Sequence, residues 1–141
     1  MIEVLDRAGI ANWRSNWLQF IAHLSNIELQ RERWLSPENY PSPYWSFAEF
    51  MCMYFDDLGL NSGYEELVAA CNVTVTEAAI LQDLHASLSA YDSPSGNDYD
   101  HAAILADPKW AAVVSLAQQA RGRLQQLPLS ELDQHAIRHA G

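Results

Sequence analysis

Apolar residues recur at helical spacing along most of this chain, and polar capping residues stand in the breaks between them. Trp13, Trp17, Phe20, Ile21 and Leu24 fall on one face and predict a first helix. Ser25 with Glu28 three residues later has the form of a capping box, with Leu24 and Leu29 placed as its staple, and predicts a second helix to about Trp34. Arg31 and Arg33 near the end of that helix suit its negative terminus. Pro37, Pro41 and Pro43 make the next stretch a stiff loop that hands the chain to Tyr44.

The most complete helical signal spans residues 46–58. Phe47, Phe50, Met51, Tyr54, Phe55 and Leu58 share one face. Ser46 and Glu49 form a capping box, Trp45 is placed to staple onto Phe50, and Gly59 supplies the stop. Glu49, Cys52, Met53 and Asp56 lie on the far side. Because Cys52 and Met53 are not natural solvent-facing residues, the helix is expected to sit in the middle of the domain, with Glu49 and Asp56 partly shielded. Asp56 and Asp57 occupy the last turn, where the helix dipole favours cations, and such a violation of a local rule points to a working surface.

Capping patterns continue downstream. Ser62 and Glu65 predict a short helix carrying Tyr64, Leu67, Val68 and Cys71, and Thr74 and Glu77 cap the next, with Ala78, Leu81, Leu84, Leu88 and Tyr91 on its face. Residues 92–100 form a polar surface loop marked by Pro94 and Gly96, followed by one helical turn over 101–106. Asp107 and Pro108 open a long helix through Trp110, Val113, Val114, Ala117, Ala120, Leu124 and Leu127, which Pro128 ends. Ser130 and Asp133 begin a final short helix. No alternating run predicts a strand. The expected fold is all-α, a single domain over residues 1–141 with about six helices around the helix at 46–58.

Composition agrees with a globular fold and adds a charge asymmetry. The chain has 141 residues, about half of them hydrophobic, enough for one real core. No apolar run approaches a membrane span, no secretory signal precedes the first helix, and a cytoplasmic location is expected. Cys52 and Cys71 are expected to be free, buried thiols. The net charge is −10, and all of the imbalance lies between Trp34 and Pro108, which hold twelve acids and no Lys or Arg. A surface of that sign repels nucleic acid and anionic lipid and attracts basic proteins.

Candidate chemistry is sparse. Asp98, Asp100 and His101, with Asp92, offer hard ligands, but a calcium loop needs glycine at its sixth position, where Asn97 or Ala103 stands here. His135 and His139 share a helical face, yet Ala136 replaces the glutamate that a zinc-protease helix requires. Cys52, Cys71, Ser93 and Ser95 lack the context of activated nucleophiles, and no phosphate-binding glycine loop is present. No metal or cofactor is therefore expected. The paired acids Asp56/Asp57 and Glu65/Glu66 keep one enzymatic alternative open, a carboxylate-based metal-dependent or hydrolytic enzyme using Asp56, Asp57 and the 98–101 loop. A homo-oligomerising helical module is a third reading.

Tyr44 and Tyr99 lie in or beside loops close to acids, the usual composition of a surface that anchors a basic protein. The residues expected to bind such a partner are Tyr44, Glu49, Asp56, Asp57, Glu65, Glu66, Asp98, Tyr99 and Asp100. Three blocks, Tyr44 to Phe50, Tyr54 to Leu58 and Asp98 to Trp110, resemble small bacterial immunity proteins of polymorphic and contact-dependent inhibition toxin systems. The resemblance implies a cytoplasmic binding protein, rather than an enzyme, that neutralises one cognate toxin.

Overall fold

The computed structural model describes residues 6–35 and 46–138. Glu38, Tyr40, the proline-rich loop, Tyr44, Trp45 with its expected staple, and His139 lie outside the described residues. Within them the fold is all-α, with no strand, and eight α-helical segments stand where about six helices were expected. They are α1 (Arg7–Leu24), α2 (Ile27–Trp34), α3 (Phe47–Cys52), α4 (Glu65–Ala69), α5 (Val75–Ala90), α6 (His101–Leu105), α7 (Pro108–Leu124) and α8 (Glu131–Arg138). The longest, α1, α5 and α7, carry most of the core, and α4 and α6 are single short turns of five residues.

α1 begins at Asp6, whose side chain accepts from Gly9 N–H at 2.7 Å. Its second half is buried on nearly every side: Trp17, Leu18, Phe20, Ile21, Ala22, His23 and Leu24 are all inaccessible. α8 and α7 pack along it, and α7 in turn packs on α5. A buried amide joins three of these elements. Gln30 on α2 donates to the carbonyls of His23 and Leu24 at the end of α1, and its oxygen accepts from the Trp110 indole of α7 at 2.9 Å. That satisfies carbonyls that the end of an α-helix leaves open.

The stretch over 46–58 is helical but not uniform. Ser46 Oγ accepts from Glu49 N–H at 3.1 Å, as its capping role requires. After Cys52 the helix widens into a π-helix, Met53–Asp57, closed by a bond from Leu58 N–H to Met53 C=O at 2.8 Å. The Trp13 indole of α1 donates to the Leu58 carbonyl at 3.0 Å and fixes this end. Gly59 then turns the chain with φ +76°, the left-handed geometry that glycine supplies without a Cβ penalty. Phe50 and Tyr54 face inward and stack on Phe20, with ring centroids 4.1 and 5.1 Å away.

The far side of this helix differs from expectation. Glu49, Cys52 and Asp56 are exposed, so the element is covered on one side and not buried in the middle. Cys52 and Cys71 are free, as expected, but both are exposed. Cys71 ends up outside because it follows α4 in a left-handed turn, φ +66°, that points the chain away from the core.

Candidate functional site

The expected binding residues fall into two groups along the α3/π-helix rod. Asp98, Tyr99 and Asp100 precede α6, and His101 accepts the Phe47 amide at 3.2 Å, tying that loop to the first residue of α3. Asp56 and Asp57 lie about 15 Å further along, at a rise near 1.5 Å per residue. Glu65 and Glu66 follow on the first turn of α4. Glu49, Asp56, Asp57, Glu65, Glu66, Asp98 and Tyr99 are exposed and Asp100 is half-buried.

Several of these acids already serve the fold. Asp98 accepts from Ser93 Oγ at 3.0 Å, and Asp100 caps α6 through Ala103 N–H. Asp107 caps α7 and accepts from the Tyr91 hydroxyl at 2.9 Å; burial of that phenol and the nearby carboxylate both push its pKa up. Glu77 completes a reciprocal capping box with Thr74 at the start of α5.

Glu77 also meets a cation that the charge pattern hid. Arg14 on α1 makes a bidentate pair with it, at 2.8 and 2.7 Å, and donates as well to Asp133 on α8 and to the Asn72 carbonyl, both at 3.0 Å. Burial alone would raise the Glu77 carboxyl, but the hydrogen bonds from Arg14 and Thr74 outweigh it and hold it below its usual value. The same bonds to Glu77 raise Arg14, against the effect of burial. This cluster ties the first, fifth and eighth helices together and is structural.

The remaining acids stand apart from it. Glu49, Asp56, Asp57, Glu65 and Glu66 have no cation against them among the described residues. Between α4 and α5, next to this acidic stretch, runs a groove of about 510 Å³ lined by Tyr64, Glu65, Val68, Val75, Ala78 and His85. Val75, at the mouth, is 73% exposed. Beneath the groove a chain of polar groups runs inward. The Trp17 indole donates to the Tyr64 hydroxyl at 3.0 Å, the Tyr64 and Tyr54 hydroxyls are 3.4 Å apart, and the Tyr54 hydroxyl lies 2.7 Å from His85 Nδ1. Burial pushes Tyr64 up to about 12, raises Tyr54 and lowers His85. Burial lowers His101 as well, partly opposed by a bond to the Trp34 backbone and by Asp100. The sequence marked Tyr64 as a helix-face residue and His85 as one at the core edge; nothing in their spacing announced that they meet Tyr54 of the π-helix.

Among the described residues no three His, Cys, Asp or Glu side chains converge as a metal ion would need, and no helix is long and apolar enough to cross a membrane. Comparison of the chain with protein-family models, with curated proteins and with solved structures gave no significant match. What the fold and surface define is an all-α domain with an unpaired acidic side next to an apolar groove.

Proposed function

We propose that this chain is a binding protein that captures a basic protein partner, and that the partner is a toxin domain which it neutralises by covering its working surface. The observation that carries the reading is the lack of compensation around Glu49, Asp56, Asp57, Glu65 and Glu66, exposed acids with no cation against them in a segment devoid of Lys and Arg. Uncompensated surface charge of one sign raises the encounter rate with a partner of the other and suppresses wrong partners. The resemblance of Tyr54 to Leu58 and Asp98 to Trp110 to immunity proteins supports the same reading. Because the acids are solvated in the free protein, their contribution falls mainly on association, and buried contacts elsewhere hold the complex.

The test is co-expression with a basic, toxin-like domain encoded in a neighbouring gene. The expected outcome is rescue of growth and a stable complex. The double variant Asp56→Lys, Asp57→Lys is expected to keep its fold and to associate about tenfold more slowly at low salt. Association at the wild-type rate in that variant, or no binding to any such domain, overturns the proposal.

A further inference from the structure

The groove between α4 and α5 has a defined polar end. The indole N–H of Trp17 can only donate, so the buried Tyr64 hydroxyl accepts from it and must place its own hydrogen elsewhere. Either oxygen can donate across the 3.4 Å link between Tyr64 and Tyr54. Only donation by Tyr64 gives both hydroxyl hydrogens a partner, because Tyr54 then donates to His85 Nδ1 at 2.7 Å. Donation the other way would strand the Tyr64 hydrogen in a buried site, which is costly. The accounting therefore leaves the neutral His85 with its hydrogen on Nε2, and His85 lines the groove. The rest of the lining is mostly apolar, with one carboxylate, Glu65, and no cation. The flanking segment 60–90 adds Glu66 and Asp83, both exposed, and contains no Lys or Arg.

A concave apolar floor, one fixed donor and a wholly acidic margin select a particular occupant. We propose that this groove seats an apolar side chain from a Lys- or Arg-flanked helical segment of a partner protein, with His85 Nε2–H donating to an acceptor on that segment. The inference rests on the reading of the chain as a receptor for a basic protein and names the contact that holds the complex once charge has brought it together. An amphipathic helix laid into an apolar groove draws its stability from the buried anchor, and the flanking cations fix its orientation.

Three synthetic peptides separate anchor from charge: a helical Leu/Lys peptide, its Leu/Glu counterpart and a Ser/Lys counterpart without the apolar face. Each is titrated into the intact protein while the methyl signals of Val68, Val75, Ala78 and Ala79 and the ring nitrogens of His85 are followed by NMR. The Leu/Lys peptide is expected to saturate those signals, and the other two to leave them unsaturated. Val75→Lys puts a cation at the mouth and Ala79→Trp fills the groove; both positions are exposed, so both variants keep the fold. Each is expected to weaken the Leu/Lys peptide at least tenfold. Equal binding of the Leu/Glu peptide, unchanged affinity in both variants, or no saturable shift at the groove overturns the inference. If a toxin domain binds with dependence on Asp56 and Asp57 but ignores both groove variants, the groove inference falls and the broader proposal stands. If the groove takes the Leu/Lys peptide but the chain binds no basic domain, the broader proposal falls instead.

Discussion

Where α1, α5 and α8 meet, Glu77 and Asp133 are buried against a single guanidinium that fills its donors on them and on a backbone carbonyl. Along the π-helix and α4, Asp56, Asp57, Glu65 and Glu66 stand in water with nothing opposite. Both places are acidic, and their counts of carboxylates are similar. The first holds the molecule together, and loss of its cation would leave charge stranded in a poorly solvated site. The second contributes little to the fold and leaves its field available to a partner. Acid content therefore says nothing about role until burial and pairing are known.

The sharpest way to break this contrast is Arg14→Ala. It leaves Glu77 and Asp133 buried without their cation, and a loss of about 3–5 kcal/mol in denaturant unfolding is expected. A loss under 1 kcal/mol would mean that the cluster is no more structural than the surface acids.

Acid probes the same cluster without mutation. The folded Glu77 carboxyl lies below its ordinary 4.5. Its contribution is therefore full above that pH and is lost as pH falls through the lower folded value. His85 and His101, held below 6.5, act earlier in the same direction, because the unfolded chain takes up their protons first. Stability is expected to begin falling near pH 6.5 and to fall faster below 4.5. Thermal unfolding of Glu77→Gln should flatten only the lower part of that profile, and an unchanged profile would remove Glu77 from the account.

Tyr54→Phe sharpens the comparison on the groove side. It strips the partner from both Tyr64 and His85 Nδ1, and about 1–3 kcal/mol is the expected cost. A neutral substitution would show that the relay beneath the groove is not made. Thr74→Ala should cost about 1 kcal/mol through the capping box of α5, read by the same denaturant titration. The smallest change belongs to the exposed acids. Asp56→Lys with Asp57→Lys is expected to move stability by no more than about 0.5 kcal/mol, as for other surface substitutions, and a large destabilisation would show that these acids serve the fold after all.

The capping patterns show where sequence reading succeeds and where it fails. Thr74 with Glu77 forms its box because Thr74 is extended, at ψ 164°, when its side chain reaches the helix. Ser25 with Glu28 has the same spelling, but Ser25 is still in the turn that ends α1, at ψ −4°, and instead donates its hydroxyl to the Ala22 carbonyl. The cap passes to Asn26, which accepts from Leu29 N–H at 3.1 Å. Ser62 is caught in a 3-10 turn, Leu60–Ser62, and Gly63 at φ +84° separates it from α4, which starts without a side-chain cap. An N-cap needs an extended backbone, and the pattern alone does not supply one.

Other features depend on contacts distant in sequence. Arg14 pairs with residues 63 and 119 positions away, so a running tally of charge counts Glu77 among the unpaired acids. The apolar face of 46–58 was legible, since Phe47, Phe50, Tyr54 and Leu58 are buried. The widening after Cys52 was not, because propensity does not distinguish an α-turn from a π-turn. Such turns recur at functional sites. This one carries both Tyr54, which faces His85, and the solvated pair Asp56 and Asp57.

That wide turn also governs how the molecule can vary. It accommodates one residue more than a regular turn, as though a single codon had been inserted into an α-helix. Removing one residue between 53 and 57 would let an ordinary ladder close and would swing everything after it by about 100°. Gly59 would then arrive facing the wrong way, and the Leu58 carbonyl would rotate off Trp13. The stretch is thus permissive toward changes of side chain and intolerant of changes in length.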